Sequence, residues 1–127
     1  MDNIIITNNK LVFEKYKNTY HVVYDENFSY LDVLEYVRNK IHEGHVLITH
    51  PLSGSIKPNE TPYKTIMISK KKEDSVDFNS VVIIEDSIAT AKKFLKDRPT
   101  PNWSERVLDD FRVIDLSLIE NAINRMV

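Results

Sequence analysis

Short β-branched runs that alternate with stretches of helical period set the tightest limit on what this chain can fold into. Ile4-Ile5-Ile6-Thr7 reads as a buried strand, and Asn8 or Asn9 follows as the cap of a short helix carrying Leu11, Val12 and Tyr16 on one side. Tyr20 to Tyr24 is a second β-rich segment, ended by the polar Asp25-Glu26-Asn27. Ser29 with Asp32 forms a capping box, and Tyr30, Val33, Leu34, Val37 and Ile41 make an apolar stripe that Gly44 stops. Val46 to Thr49 and Thr65 to Ser69 supply the third and fourth strands. Asp77 caps a helix reaching about Asp97, with Val81, Ile84, Ile88, Ala91 and Leu95 on one face. After the break at Pro99-Thr100-Pro101, Ser104 caps another helix, with Trp103 as a staple against Leu108. Phe111 to Ile114 reads as a short edge strand, and Asp115 as the cap of a last helix bearing Leu116, Ile119, Ile123 and Met126.

Strands that alternate with amphipathic helices favour parallel pairing with helices on both faces. The expectation is therefore a small three-layer α/β sandwich with a mostly parallel sheet of four to five strands. At 127 residues the chain has the length of one domain, here spanning 1–127. In such sheets ligands gather beyond the carboxyl ends of the strands, which points to Asn8, Asn9 and the loop after the third strand.

Composition removes several classes of function. There is no cysteine, so disulfides, thiolate nucleophiles and iron–sulfur ligation are excluded from this chain. Seventeen basic against nineteen acidic side chains give a net charge of -2, short of the basic excess that general nucleic-acid binding needs. The longest apolar run, Val81-Val82-Ile83-Ile84, is far below the roughly 20 residues of a membrane span, and Met1-Asp2-Asn3 does not open an export signal. A cytoplasmic protein with no nucleic-acid or membrane partner is expected. With Gly44 and Gly54 as the two glycines, neither a Walker loop nor a dinucleotide fingerprint can be written. His42, His45 and His50 lack metal-ligand spacing, so no metal and no cofactor is expected.

The segment His50 to Lys64 is fifteen residues long and holds three of the five prolines and one of the two glycines. Ordered loops of this length are often functional, and prolines stiffen the backbone before any partner arrives. Candidate ligand contacts are Asn8 and Asn9 from the strand end and His50, Ser53, Gly54, Ser55, Lys57, Asn59, Glu60, Tyr63 and Lys64 from the loop. Ser53-Gly54-Ser55 can turn backbone N–H groups toward an anion, and Lys57 or Lys64 can add charge. The same segment also reads as a rigid surface connector with solvated lysines, or as a protein-docking loop. No residue earns a catalytic assignment.

Five blocks carry a family resemblance: Ile5-Ile6-Thr7-Asn8-Asn9; Tyr30-Leu31-Asp32-Val33-Leu34; Thr49-His50-Pro51-Leu52 with Gly54-Ser55; Lys57 through Lys64; and Pro99-Thr100-Pro101-Asn102-Trp103. Together they resemble the GrdX family across nearly the whole chain. That resemblance implies an accessory place beside glycine reductase, in the gene clusters of anaerobes that ferment amino acids. It implies no reaction and transfers no catalytic residue. Three functions follow as expectations. The first is an accessory or regulatory protein that binds a small anionic metabolite or a reductase component through the 50–64 loop. The second is a small enzyme acting on a phosphorylated or carboxylated metabolite, with His50 as acid or base and Lys57 or Lys64 as the electrostatic group. The third is a purely structural interaction module.

Overall fold

The computed structural model describes residues 2–54 and 56–126. Three strands and four helices follow one another as β1 (Asn3–Thr7), α1 (Lys10–Tyr16), β2 (His21–Tyr24), α2 (Tyr30–His42), β3 (Thr65–Ser69), α3 (Phe78–Asp97) and α4 (Glu105–Arg125). The sheet order is β2-β1-β3. β1 pairs with β2 in parallel and with β3 antiparallel, in a register that sets Thr7 opposite Thr65.

Side chains alternate across β1, and each face buries its own cluster. Ile4 and Ile6, with Ile66 and Ile68 of β3, pack against the stripe Tyr30, Val33, Leu34, Val37 and Ile41 of α2 and against Ile84, Ile88 and Ala91 of α3. Ile5 and Met67 point the other way, onto Val12 and Tyr16 of α1 and Ile119 and Ile123 of α4. Burial of each such side chain contributes about 1.5–3 kcal/mol, which is why the helices cover both faces of so small a sheet.

The sheet corrects the expected fold. It is mixed and three-stranded, where a mostly parallel sheet of four to five strands was expected. Two local causes account for the difference. The segment Val46 to Thr49 lies beside β3 but makes one isolated bridge, Leu47 with Ile68. Backbone bonds to β3 run from Ser69 N–H to the Val46 carbonyl and from Ile48 and Thr49 N–H to the Met67 carbonyl, but hydroxyls take the other groups: Val46 N–H donates to Ser69 Oγ at 2.8 Å, Leu47 N–H to Ser80 Oγ at 2.9 Å, and Met67 N–H to Thr49 Oγ1 at 3.0 Å. The 50–64 loop then returns the chain on itself, so that β3 slots antiparallel between β1 and this segment instead of crossing over. Phe111 to Ile114 is no strand either, because α4 runs unbroken through it. Val113 and Ile114 face outward, 53% and 40% exposed, and Asp115 sits inside the helix and not at a cap.

Local signals elsewhere are satisfied as their chemistry requires. Asn9 caps α1, Asp77 caps α3 and Ser104 caps α4. Ser29 Oγ accepts from Asp32 N–H at 3.0 Å while Asp32 Oδ2 accepts from Ser29 N–H at 2.9 Å, a complete capping box for α2. Gly44 ends that helix at φ +113°, where a Cβ would stand 2.5 Å from the Glu73 carbonyl oxygen. Glycine is thus required twice over, by conformation and by space. Ser29→Ala should lower stability by about 1 kcal/mol in a urea titration. An unchanged midpoint would mean that tertiary packing alone holds the start of α2.

Candidate functional site

The carboxyl end of β1 and the start of β3 meet beneath the 50–64 loop, and two asparagines tie this junction together. Asn8 Nδ2 donates to the carbonyls of Phe28 (3.0 Å) and Pro62 (2.8 Å), and its Oδ1 accepts from Lys64 N–H (2.9 Å). One amide therefore fastens the end of the loop to β1. Asn9 caps α1 through Oδ1, and its Nδ2 reaches across to α4, donating to the Arg112 carbonyl (2.9 Å) and to Asp115 Oδ2 (3.0 Å).

Asp115 is the focus of a buried hydrogen-bond circuit. Its Oδ2 accepts from Thr65 Oγ1 at 2.7 Å. With that proton committed, Thr65 must accept from Thr7 Oγ1, 2.7 Å away, and Thr7 Oγ1 in turn accepts from Asn9 N–H at 3.0 Å. Every hydroxyl proton in the chain has one direction. Burial pushes the Asp115 carboxyl above the usual carboxylate range, opposed by the hydrogen bonds from Asn9 and Thr65 and by the charge of Lys64.

Lys64 is the complementary oddity. It is only 5% exposed, and its Nζ makes no hydrogen bond or ion pair with any described residue. The amine stands over the Tyr30 ring, 5.6 Å from the centroid. Burial holds it below the usual lysine range, with Asp115 pulling in the opposite direction. Tyr30 is also buried, and desolvation raises its phenol well above the ordinary value. Two small cavities flank this pair, each of about 10 Å³ and each lined by both Lys64 and Asp115. That is about the space one water occupies.

Outside this closed zone lies an open cleft of about 460 Å³ between the 48–54 segment and the last turns of α4. The polar Thr49, His50, Ser53, Asn121 and Arg125 line it together with the apolar Ile48, Leu118, Ala122 and Met126. Thr49, Ser53, Leu118 and Ala122 line both this cleft and one of the small cavities, so the outer and inner spaces share a wall. Gly54, at φ +92°, lies so close to Leu118 that a Cβ would come within 3.0 Å of its Cδ1. The absent side chain is what lets the loop rest on α4. His50 Nδ1 accepts from Leu52 N–H at 3.1 Å, which leaves Nε2–H as the donor of the neutral ring.

The expected ligand residues thus divide into groups. His50, Ser53 and Gly54 line the open cleft, and Lys64 and Tyr63 line an inner cavity. Asn8 and Asn9 are buried clamps whose amides are already engaged. Asn59 is buried and donates to the Arg98 carbonyl at 3.0 Å, while its Oδ1 has no hydrogen-bond partner among the described residues. Lys57 and Glu60 have exposed side chains, and their backbones form a turn in which Lys57 C=O accepts from Glu60 N–H. Ser55 lies outside the described residues. Trp103 donates to the Glu60 carbonyl at 2.7 Å and packs its ring near Phe111, a second tie on the loop. Among the described residues, no group of three histidine, aspartate or glutamate side chains is placed to hold a metal ion. No described helix is long and apolar enough to cross a membrane.

Thr49, Asn121, Arg125 and Asp115 lie outside the residues that the sequence marks as site candidates. Arg125 carried no signal. Asp115 did, because it lies four and eight residues before Ile119 and Ile123, on the stripe that faces the core. A carboxylate on an apolar stripe marks a buried polar centre.

A family model described as GrdX-like protein matches residues 4–124, nearly the whole chain. The chain belongs to the GrdX-like family. Membership suggests an association with glycine reductase gene clusters. No curated protein and no solved structure matches the chain.

Proposed function

We propose that this GrdX-like protein is a non-catalytic accessory or regulatory protein of glycine reductase metabolism that binds a small anionic metabolite in the open cleft. The observation that carries this reading is one cleft lined by Arg125, His50, Asn121, Thr49 and Ser53 together with apolar Leu118, Ala122 and Ile48. Small-molecule sites commonly have this character, in volumes of roughly 300–1,000 Å³, with few polar groups and much apolar wall. Arg125 makes no ion pair with any described residue, so its guanidinium is available for a bidentate contact with carboxylate or phosphate. Gly54 and the turn from His50 to Ser53, closed by Ser53 N–H donating to His50 C=O at 3.2 Å, hold one rim without needing a ligand. Such preorganisation lowers the entropy lost on binding.

Calorimetric titration with inorganic phosphate and with mono- and dicarboxylates of two to four carbons tests this. Arg125→Ala should weaken the best binder by about 1–3 kcal/mol, and added salt should weaken it further. Equal affinities for Arg125→Ala and for Lys71→Ala, which changes an exposed turn, would rule out the cleft as the anion site.

A further inference from the structure

A crevice beyond the carboxyl ends of β1 and β2 is separate from the open cleft and shares no lining residue with it. These two strands run parallel, and the chain leaves them toward opposite faces of the sheet: α1 packs with Ile5, whereas α2 packs with Ile4 and Ile6. Connections that diverge in this way open a crevice between neighbouring strands, the usual ligand position in an α/β sheet. Two adjoining hollows occupy it, of about 250 and 290 Å³, and Asn8, Glu26 and Tyr63 line both. The walls are fixed beforehand, because the buried Asn8 amide donates to the carbonyls of both Phe28 and Pro62, 3.0 and 2.8 Å away.

The two hollows differ in chemistry. The smaller is polar and is lined by Lys10, Glu26 and Arg112 with Tyr24 and Tyr63. The larger is mostly apolar, with Phe28, Leu31, Pro62, Leu95 and Leu108. Arg112 is already committed to Glu105 at 2.9 Å and Asp109 at 3.4 Å, and its guanidinium lies 5.2 Å from the centre of the Tyr63 ring. The side chains of Lys10 and Glu26 make no hydrogen bond or ion pair with any described residue, nor with each other. One unpaired base and one unpaired acid therefore line the same polar hollow. A simple anion would meet Glu26 there and a simple cation would meet Lys10, whereas a zwitterion finds a partner for each of its charges. We propose that this crevice binds a free α-amino acid with an apolar side chain, its carboxylate on Lys10, its ammonium on Glu26 and its side chain in the apolar hollow. Glu26 lines both hollows, so the carbon that carries the ammonium sits at their junction. The two volumes together lie within the roughly 300–1,000 Å³ of small-molecule pockets.

The test is calorimetric titration of the intact protein with L-leucine and L-phenylalanine, each beside its N-acetyl and amide forms, and with glycine. The tighter of the two amino acids should bind at least about tenfold more strongly than either of its blocked forms, because each block leaves one charged side chain without its counterpart. Glycine should bind at least about tenfold more weakly as well, since it leaves the apolar hollow empty. Glu26→Gln should weaken the amino acid by about tenfold and remove its advantage over the N-acetyl form, and Lys10→Met should do the same against the amide. Both side chains are exposed, so neither change endangers the fold. Arg125→Ala, in the separate cleft, should leave amino-acid affinity unchanged, so that this site and the anion site stand or fall independently. Absence of binding by both amino acids at millimolar concentration, equal affinities for an amino acid and its blocked forms, or a loss on Arg125→Ala would overturn the proposal.

Discussion

Asn8→Ala is expected to cost about 3–4 kcal/mol of stability, a large part of the roughly 5–15 kcal/mol that holds a domain of this size together. Three hydrogen bonds leave with one amide: those to the Phe28 and Pro62 carbonyls and the one from Lys64 N–H. Asn8 is 4% exposed, so little water is at hand to replace it. The orphaned N–H of Lys64 carries the heaviest penalty, because a buried donor without an acceptor loses its full hydration. Asn8→Asp separates chemistry from size. It keeps an acceptor for Lys64 N–H but sets a second carboxylate oxygen against the two carbonyls, so it should be at least as damaging at neutral pH. Urea denaturation measures both. A loss below about 1 kcal/mol for Asn8→Ala would mean that the loop is held chiefly by Trp103 on the Glu60 carbonyl and Asn59 on the Arg98 carbonyl.

Lys64→Met should act in the opposite direction and raise stability at pH 7 by about 1–3 kcal/mol, since replacing a buried charge-bearing group by an apolar one of similar volume often stabilises. The pH profile gives the sharper signature. Burial lowers the folded-state pKa of Lys64 below the ordinary 10.5, so between those two values the unfolded chain binds more protons than the folded one. The Lys64 contribution to wild-type stability therefore rises with pH up to about 10.5, and its full cost is present below the folded pKa. Lys64→Met should lack that rise. Asp115 has the mirror behaviour: its folded pKa lies above 3.8, so its cost enters as pH climbs through 3.8 and is complete above the folded value. Asp115→Asn should remove that fall. The measurement is the difference in unfolding free energy between wild type and each variant from pH 3 to pH 10.5. A Lys64→Met protein less stable than wild type, with a parallel pH profile, would show that the amine stabilises the fold.

A lysine whose burial disfavours its charged form, at the end of the sheet and beside a cleft, is placed as functional groups commonly are. Lys64 and Asp115 were unequally visible beforehand. Lys64 lies in the 50–64 loop, where sequence offers it as a source of charge, and its burial depends on Tyr30 and α4, which are remote in sequence. Asp115 fits a helix cap on sequence grounds, because a carboxylate before Leu116 satisfies a capping pattern as well as it fits the core stripe. Its hydrogen-bond partners Thr65 and Asn9 are 50 and 106 residues away.

The helices were legible because their determinants are local. Ser29 with Asp32, Asp77 and Ser104 each find a partner within three residues, and the stripe from Tyr30 to Ile41 repeats at the pitch of the helix it forms. Ile4 to Thr7 and Thr65 to Ser69 were likewise recognisable as strands, from β-branched runs with polar ends. Strand direction was not, because nothing within five residues says whether a connection crosses over or returns. The 50–64 loop returns, Asn8 fastens its end, and β3 becomes antiparallel. Val46 to Thr49 falls short of a strand: the Ser69 and Ser80 hydroxyls take the N–H groups of Val46 and Leu47, while those of Ile48 and Thr49 both reach the Met67 carbonyl, and Phe111 to Ile114 lies within the unbroken α4. Caps and periodicity are decided by neighbours along the chain, whereas pairing and the burial of polar groups are decided by partners that meet only after collapse.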